Sequence, residues 1–242
     1  MIGIFSSLMP MGLSQWRQTL FFSTLGYLSG SFLSAYFLPL WLCHIDVTEN
    51  ADDHNPGAAN AFMKAGIPCG ILVLLCDLAK GMLPVFCAKE YLSPACSGFA
   101  LVLIAPVIGH AWSCFYGGKG GKAIAVSFGV LLGLLPDFRP AVLLAAFYIF
   151  FSVLVRIPSH SHRTIVTFSC WLITVVFLLR DPVLTLAGIG IAGIVIYKHR
   201  RAERLQQTEM EKAAREPFDR LMTQNNIKAL HPVFPPDGAL FL

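Results

Sequence analysis

Long apolar runs separated by short polar connections organise this chain. They fall at about 20–42, 67–88, 97–115, 123–136, 140–157, 164–180 and 183–198. Most are roughly 17–23 residues long, the length a helix needs to cross ~30 Å of hydrocarbon. None alternates in polarity as a barrel strand does, so helices are predicted. The run at 123–136 is short, and the last two runs are parted only by Arg180-Asp181-Pro182. The first run follows Arg17 without a small-residue cleavage site and reads as an uncleaved span rather than a signal peptide. The expected fold is all-α, a polytopic membrane bundle of about seven transmembrane helices. Residues 200–222 are charged and read as a helix continuing out of the last span, and 223–242, with Pro232, Pro235 and Pro236, as a loose tail. The expected organisation is a transmembrane domain over 1–199 and a cytoplasmic C-terminal helix and tail over 200–242.

Composition agrees with a membrane location. The 242 residues are 55% hydrophobic and only 13% charged, about half the charged fraction of soluble domains. The net charge of +4 is modest, and no basic-aromatic interleaving points to nucleic acid. The placement of the basic residues carries more information. With the N-terminus outside, Lys64, Lys119, Lys122, Arg156, Arg163, Lys198, Arg200, Arg201 and Arg204 all fall on the inner side, against Arg17, Lys89, Arg139 and Arg180 outside. Basic residues near spans stay cytoplasmic, which predicts an N-out, C-in chain with its chemically interesting loops on one face. The seven cysteines lie mostly in apolar runs without C-x-x-C spacing. They read as packing residues, not as a disulfide framework or zinc site.

The polar groups that interrupt this pattern are the candidates for chemistry. Lys119-Gly120-Gly121-Lys122 follows His110 by nine residues, at the edge of an apolar run. Glycines let backbone N–H groups converge on an anion, and two ammonium groups supply charge, so the segment reads as a phosphate cradle. The connection from Cys43 to Gly66 contains Asn55-Pro56-Gly57-Ala58-Ala59-Asn60, whose small residues permit a tight backbone and whose Asn60 can cap a helix or donate to phosphate. The same connection holds Asp46, Glu49, Asp52 and Asp53, which must be paired or turned away if an anion binds there. Within the second run Asp77 and Lys80 share a helical face. They read either as a neutralising internal pair or, through Lys80, as part of the substrate field. His110 reads equally as a packing histidine or as part of the cradle. His160, His162 and Arg163, and likewise His199 with Arg200, Arg201 and Arg204, look first like interfacial anchors and topology signals. G-x-S-x-G, H-E-x-x-H and Walker motifs are absent, so the chemistry expected relies on positioning and anion stabilisation.

The order of these motifs resembles the bacterial integral-membrane glycerol-3-phosphate acyltransferases that use acyl phosphate as donor. The likeness runs over about residues 25–210. It rests on Gly30-Ser31 in the first span, on Asn55-Pro56-Gly57-Ala58-Ala59-Asn60, and on Asp77-Leu78-Ala79-Lys80-Gly81-Met82-Leu83-Pro84. Gly109-His110 with Lys119-Gly120-Gly121-Lys122-Ala123, and His199-Arg200 with Thr208-Glu209, complete it. The resemblance implies acyl transfer to the sn-1 hydroxyl of glycerol 3-phosphate, giving lysophosphatidic acid for phospholipid biosynthesis at the cytoplasmic face of the bacterial inner membrane. It implies no cofactor, no metal and no protein nucleophile, the departing phosphate taking the proton itself. The partners implied are acyl phosphate, glycerol 3-phosphate, membrane lipid and the soluble enzyme that makes acyl phosphate.

Carried onto this sequence, His110, His199 and Asn60 orient groups at the reacting carbonyl. Ser31, Asn55, Gly57, Lys80, Lys119, Gly120, Gly121 and Lys122 hold substrate. Several positions depart from the family pattern. Thr48, after Asp46, and Met63, before Lys64, stand where arginines are expected. Asp52-Asp53-His54 replaces Gly-Ser-Gly, Ala59 a Thr, Ala123 a Gly, and Ala202 lies nearest an expected Asn. Each lost arginine removes a charge-assisted bond of about 1.5–3 kcal/mol to phosphate. Three alternatives remain open on the sequence: an acyltransferase with another acceptor, a non-catalytic lipid- or phosphate-binding protein, and a small-solute transporter using Asp77 and Lys80 as a coupling pair.

Overall fold

The structure, a computed structural model, describes residues 11–49 and 57–230. The chain divides into two units, Met1–Ala202 and Glu203–Leu242. Every regular element among the described residues is helical. The first unit begins with α1 (Leu13–Ser31) and α2 (Ser34–Cys43), two pieces of one apolar run bent by 42° at residues 32–33. A short α3 (Ala58–Ala65) starts at Gly57 and turns through Gly66, at φ 87°, into α4 (Ile67–Ala88), which opens on Pro68. Then come α5 (Phe99–Ala111), a 3₁₀ turn at Cys114–Tyr116, α6 (Ile124–Leu132) and α7 (Arg139–Ile149). Next are α8 (His160–Thr174), capped by the Ser159 hydroxyl at its start, and α9 (Pro182–Leu230), whose first turn the Asp181 carboxylate caps. Residues of α9 from Glu203 onward belong to the second unit, a polar helical segment.

Among the described residues four helices are long and apolar enough to cross a membrane, and the bent pair α1–α2 makes up to five. The runs at 123–136 and 140–157 are realised differently from the others. The nine residues of α6 reach only about 14 Å at 1.5 Å per residue, and α7 with the π turn that extends it to Leu154 is also short for a span. Contacts at the two ends of the unit show what these two helices do. At one end Lys198 Nζ donates to the Ala111 carbonyl at 2.8 Å, the His160 and His199 rings stack 5.9 Å apart, and Tyr36 packs on Tyr116. At the other, the Lys89 ammonium donates to the Leu135 carbonyl and Phe22 packs on Tyr91. The turn between α6 and α7 lies at that second end, where Asp137 chelates the Arg139 guanidinium at 2.8 and 2.9 Å and is thereby held below the usual carboxylate range. Thus α6 and α7 form a hairpin that leaves the first end, turns at the second and returns.

Helix contacts in the interior are very close. The α carbon of Gly109 faces the Tyr27 carbonyl so tightly that a β carbon there would lie 2.1 Å from its oxygen, and one on Gly30 would lie 2.0 Å from the Pro106 carbonyl oxygen. Small residues at such crossings let backbones pack directly, which is how apolar helices gain affinity for each other when lipid competes equally for their side chains. Around this crossing, Phe99, Leu103, Phe168, Trp171, Leu144 and Ile191 fill the buried core, and the Trp171 indole donates to the Pro140 carbonyl at 2.9 Å. Gly109→Ala is expected to force α1 and α5 apart, costing about 1–3 kcal/mol. Thermal unfolding of the detergent-purified variant reads the cost as a lowered midpoint; an unchanged midpoint contradicts this packing.

Candidate active site

The site forms where the first span breaks. Breaking a helix in an apolar run leaves backbone groups without partners, each costing several kcal/mol in hydrocarbon. Here α4 supplies replacements. Lys80 Nζ donates to the Phe32 carbonyl at 2.7 Å and pairs with Asp77 Oδ1 at 2.8 Å. Asp77 in turn accepts the Ser34 hydroxyl at the start of α2, where a helix N-terminus favours negative charge. The Ser29 hydroxyl donates to the Lys80 carbonyl at 2.9 Å. Asp77 is 2% and Lys80 7% exposed, so the charges neutralise each other inside the bundle. Lys80 thus pairs with Asp77 inside the bundle, at the break in the first span.

The same carboxylate reaches the second element of the site. His110 Nδ1 lies 4.0 Å from Asp77 Oδ1, and the imidazole is buried at the end of α5. After it the chain folds back. Gly121 N–H donates to the His110 carbonyl at 3.0 Å and Ser113 N–H to the Lys119 carbonyl at 3.0 Å, closing a compact loop. A β carbon on Gly121 would sit 2.1 Å from His110 Nε2 and one on Gly120 2.2 Å from the His110 carbonyl oxygen. Both glycines are thus required for the Lys-Gly-Gly-Lys loop to lie on the histidine. Ala123 ends the loop at φ 64°, a left-handed conformation costing a non-glycine about 1–2 kcal/mol. Lys119 is exposed and Lys122 half-buried.

Further bonds clamp this loop to the broken span and to α9. The Ser113 hydroxyl donates to the Ser31 carbonyl at 2.5 Å and the Tyr27 hydroxyl to the Trp112 carbonyl at 3.1 Å. Lys198, besides bonding Ala111, lies over the Trp112 ring at 5.6 Å. His199, the next residue, is fully buried, and its Nδ1–H donates to the Val195 carbonyl at 2.8 Å. Among the described residues, the Ser31 hydroxyl and His110 Nδ1 are two of several buried side-chain atoms without a hydrogen-bond partner, the Thr19, Ser23 and Thr167 hydroxyls being others.

Of the residues singled out from the sequence, Ser31, Lys80, His110, Gly120 and Gly121 are joined by these contacts, and Lys119 and Lys122 flank the glycines. His199 joins through its neighbour Lys198. Asn60 is buried on α3, which packs on α4 and α2, and Gly57 starts that helix. Asn55 and Asp52-Asp53-His54 lie outside the described residues. At the departures, Thr48 donates to Asp46 through both N–H and hydroxyl at 2.8 and 2.6 Å, Met63 is exposed, and the Lys64 ammonium donates to the Glu49 carbonyl. Ser34, Ser113 and the inward role of Lys198 escaped sequence reasoning. A serine in an apolar run gives no periodic signal, and Lys198 sits in a basic cluster that topology already accounts for. Among the described residues no three His, Cys, Asp or Glu side chains are placed to hold a metal ion.

Fold and site together define a polytopic membrane protein with a compact Lys-Gly-Gly-Lys loop folded on a buried histidine at one end of its bundle. The model of the glycerol-3-phosphate acyltransferase family matches residues 20–207, and the chain belongs to that family. A glycerol-3-phosphate acyltransferase of Staphylococcus saprophyticus is 33% identical over 183 residues, covering 73% of this chain and 88% of the relative. One of Solidesulfovibrio magneticus is 35% identical over 179 residues, covering 74% and 86%. The crystal structure of PlsY (YgiH), an integral membrane glycerol 3-phosphate acyltransferase, in its glycerol 3-phosphate form, superposes with a TM-score of 0.67 at 24% identity, over 79% of this chain and 92% of that one. Its lysophosphatidic acid form gives 0.65.

Removing Asp77 leaves the Lys80 ammonium buried without a countercharge, so Asp77→Ala is expected to cost about 3–5 kcal/mol. Unfolding of the purified variant in detergent measures it. A cost below about 1 kcal/mol, the range of an exposed pair, contradicts the placement of this pair.

Proposed function

We propose that this protein transfers a fatty acyl group from acyl phosphate to the sn-1 hydroxyl of glycerol 3-phosphate, giving lysophosphatidic acid and inorganic phosphate. The observation that carries the reading is the Lys119–Lys122 loop laid on His110, beside the unpartnered Ser31 hydroxyl and His110 Nδ1. In this reading the two lysines and the two unsatisfied polar atoms make a place for a phosphate at the end of an apolar bundle, where a lipid-linked phosphate arrives. The Lys119 and Gly121 N–H groups hold the loop on the Tyr116 and His110 carbonyls. Asn60, buried on α3, and Gly57 at the start of that helix are proposed to serve the substrate from the α4 side.

In this reading the donor's acyl chain lies between helices and its phosphate rests on Lys119, Gly120, Gly121 and Lys122, with the Ser31 hydroxyl on a phosphate oxygen. The acceptor hydroxyl attacks the anhydride carbonyl, the carbon–oxygen bond to phosphate breaks, and the leaving phosphate takes the hydroxyl proton. Donors within ~3 Å of the developing oxyanion lower the barrier, a task for His110, His199 and Asn60. Lys80 contributes by holding the break that presents Ser31.

The chain is placed in the bacterial inner membrane with seven helices, N-terminus outside and C-terminus cytoplasmic. The α6–α7 hairpin enters and leaves at one end, so counting it or not keeps the crossings odd and the termini on opposite sides. Lys64, Lys119, Lys122, Arg156, Arg163 and Lys198 belong to the site end and Arg17, Lys89, Arg139 and Arg180 to the other, a distribution that supports a cytoplasmic site. The soluble enzyme that makes acyl phosphate would then deliver it to this face, and the second unit would lie in the cytoplasm.

One observation favours a second reading, a family member with a different acceptor. The position of one missing arginine is Thr48, folded onto Asp46, and that of the other is exposed Met63, so neither replaces the lost cation. Offering a panel of phosphorylated and neutral alcohols with acyl phosphate separates the readings. Under the first, glycerol 3-phosphate is the preferred acceptor, and Lys122→Ala lowers kcat/KM about 10–100-fold through loss of one charge-assisted bond. A folded protein that acylates no glycerol 3-phosphate, or a Lys122→Ala variant as active as the parent, overturns it.

A further inference from the structure

A groove opens between α1 and the end of α4, at the end of the bundle away from the glycine loop. Its volume is about 680 Å³, within the ~300–1,000 Å³ of small-molecule sites. Arg17, Phe21 and Phe22 line it from α1, and Cys87, Glu90 and Tyr91 from the end of α4 and the turn that follows. Arg17 and Phe21 are four residues apart, so one face of α1 carries the charge a helical turn above the ring. On the other wall Glu90 N–H donates to the Cys87 carbonyl at 3.2 Å, which sets the carboxylate at the mouth and the thiol below it. Phe22 is buried and packs on Tyr91 with ring centroids 5.4 Å apart, whereas Phe21 and Cys87 are exposed along the slot. The result is a largely apolar slot with one cation and one anion at its rim.

We propose that this groove binds a zwitterionic phospholipid with a primary ammonium headgroup, a phosphatidylethanolamine, with its phosphate on Arg17, its ammonium on Glu90 and an acyl chain along Phe21, Phe22 and Cys87. The site is separate from the acyl-transfer reading, in which this lipid is neither donor nor acceptor. An apolar slot does not hold water, and in a bilayer the chains of neighbouring lipid are what reach it. The rim then selects the headgroup by charge. A guanidinium takes two phosphate oxygens at once, a geometry that fixes the lipid at the mouth. A carboxylate beside it accepts N–H bonds from a primary ammonium, which a trimethylammonium headgroup has no N–H to make. An anionic headgroup without a cation gains Arg17 but is repelled by Glu90. Among the described residues neither Arg17 nor Glu90 bonds another side chain, and the neighbouring Lys89 is occupied by the Leu135 carbonyl. Exposed Trp16 and Tyr91 stand at the same end, as aromatic side chains do at headgroup depth. A lipid held by both charges joins α1 to the end of α4.

Cys87 is a reporter already in the groove, and exposed Cys114 at the other end of the bundle is its internal control. The test places the full chain in nanodiscs of phosphatidylcholine alone, or mixed with equal parts of phosphatidylethanolamine or phosphatidylglycerol. The rate of alkylation by N-ethylmaleimide is followed at each cysteine by peptide mass spectrometry. Phosphatidylethanolamine is expected to slow Cys87 several-fold relative to the other two compositions, with Cys114 unchanged throughout. Arg17→Gln should remove that protection. Glu90→Gln should let phosphatidylglycerol protect Cys87 as well as phosphatidylethanolamine does. Both substitutions are at exposed positions, and an unchanged thermal midpoint in phosphatidylcholine confirms that the variants fold. The proposal is overturned if Cys87 reacts at one rate in all three compositions, or if the parent is protected equally by both added lipids. Protection that neither substitution alters overturns it as well, as does protection in phosphatidylcholine alone with Cys87 of two chains linked by a bismaleimide, which assigns the groove to a second copy. Every readout is independent of turnover, so loss of the acyl-transfer reading leaves the lipid site standing, and the converse holds too.

Discussion

A buried ion pair at a broken helix is the constraint on which the remaining structure depends. The first span must bend to bring Ser31 toward α5, and bending strips backbone groups of partners where water cannot replace them. Lys80 takes the Phe32 carbonyl and Asp77 takes the Ser34 hydroxyl, so the pair substitutes for the missing helical bonds. Either charge alone at that depth would be costly. Together they are neutral, and the polar cost of the bend is met by two residues one helical turn apart on α4.

From that bend the site follows by contact. Ser31 bonds Ser113, which closes the loop after His110, and the loop's glycines lie on the imidazole because nothing larger fits. Lys198 fastens the last helix to the residue after His110. The Gly30 and Gly109 crossings hold α1 and α5 at backbone contact, so these few polar bonds are made between rigid elements rather than loops. The groups assigned to the substrate phosphate in the proposed reaction are thereby preset, the condition under which electrostatic stabilisation is most effective.

Much of this was legible in the sequence, and the remainder had physical reasons to be hidden. Helices long enough to cross were read from apolar length, which is what membranes select. Apolar length does not reveal how a run is built, and the runs at 123–136 and 140–157 form the shorter helices α6 and α7, joined by a turn at the second end. The break at Phe32 and Leu33 has no proline at the bend itself, Pro39 lying further along α2, and the Lys80 that takes up the Phe32 carbonyl sits on another helix. The Lys-Gly-Gly-Lys loop and His110 stood out since two glycines between lysines have few other uses. Ser34 and Ser113 did not, a hydroxyl in an apolar run being silent until its partner is known.

The central claim is that the broken span and the glycine loop jointly grip the phosphate of a lipid-linked donor. Hydrogen exchange of the backbone amides, measured in detergent with and without acyl phosphate, tests it most directly. Slowed exchange of the amides at residues 119–122 and 31–34 on adding the donor is the expected result. Unchanged exchange at both segments under saturating donor would contradict it.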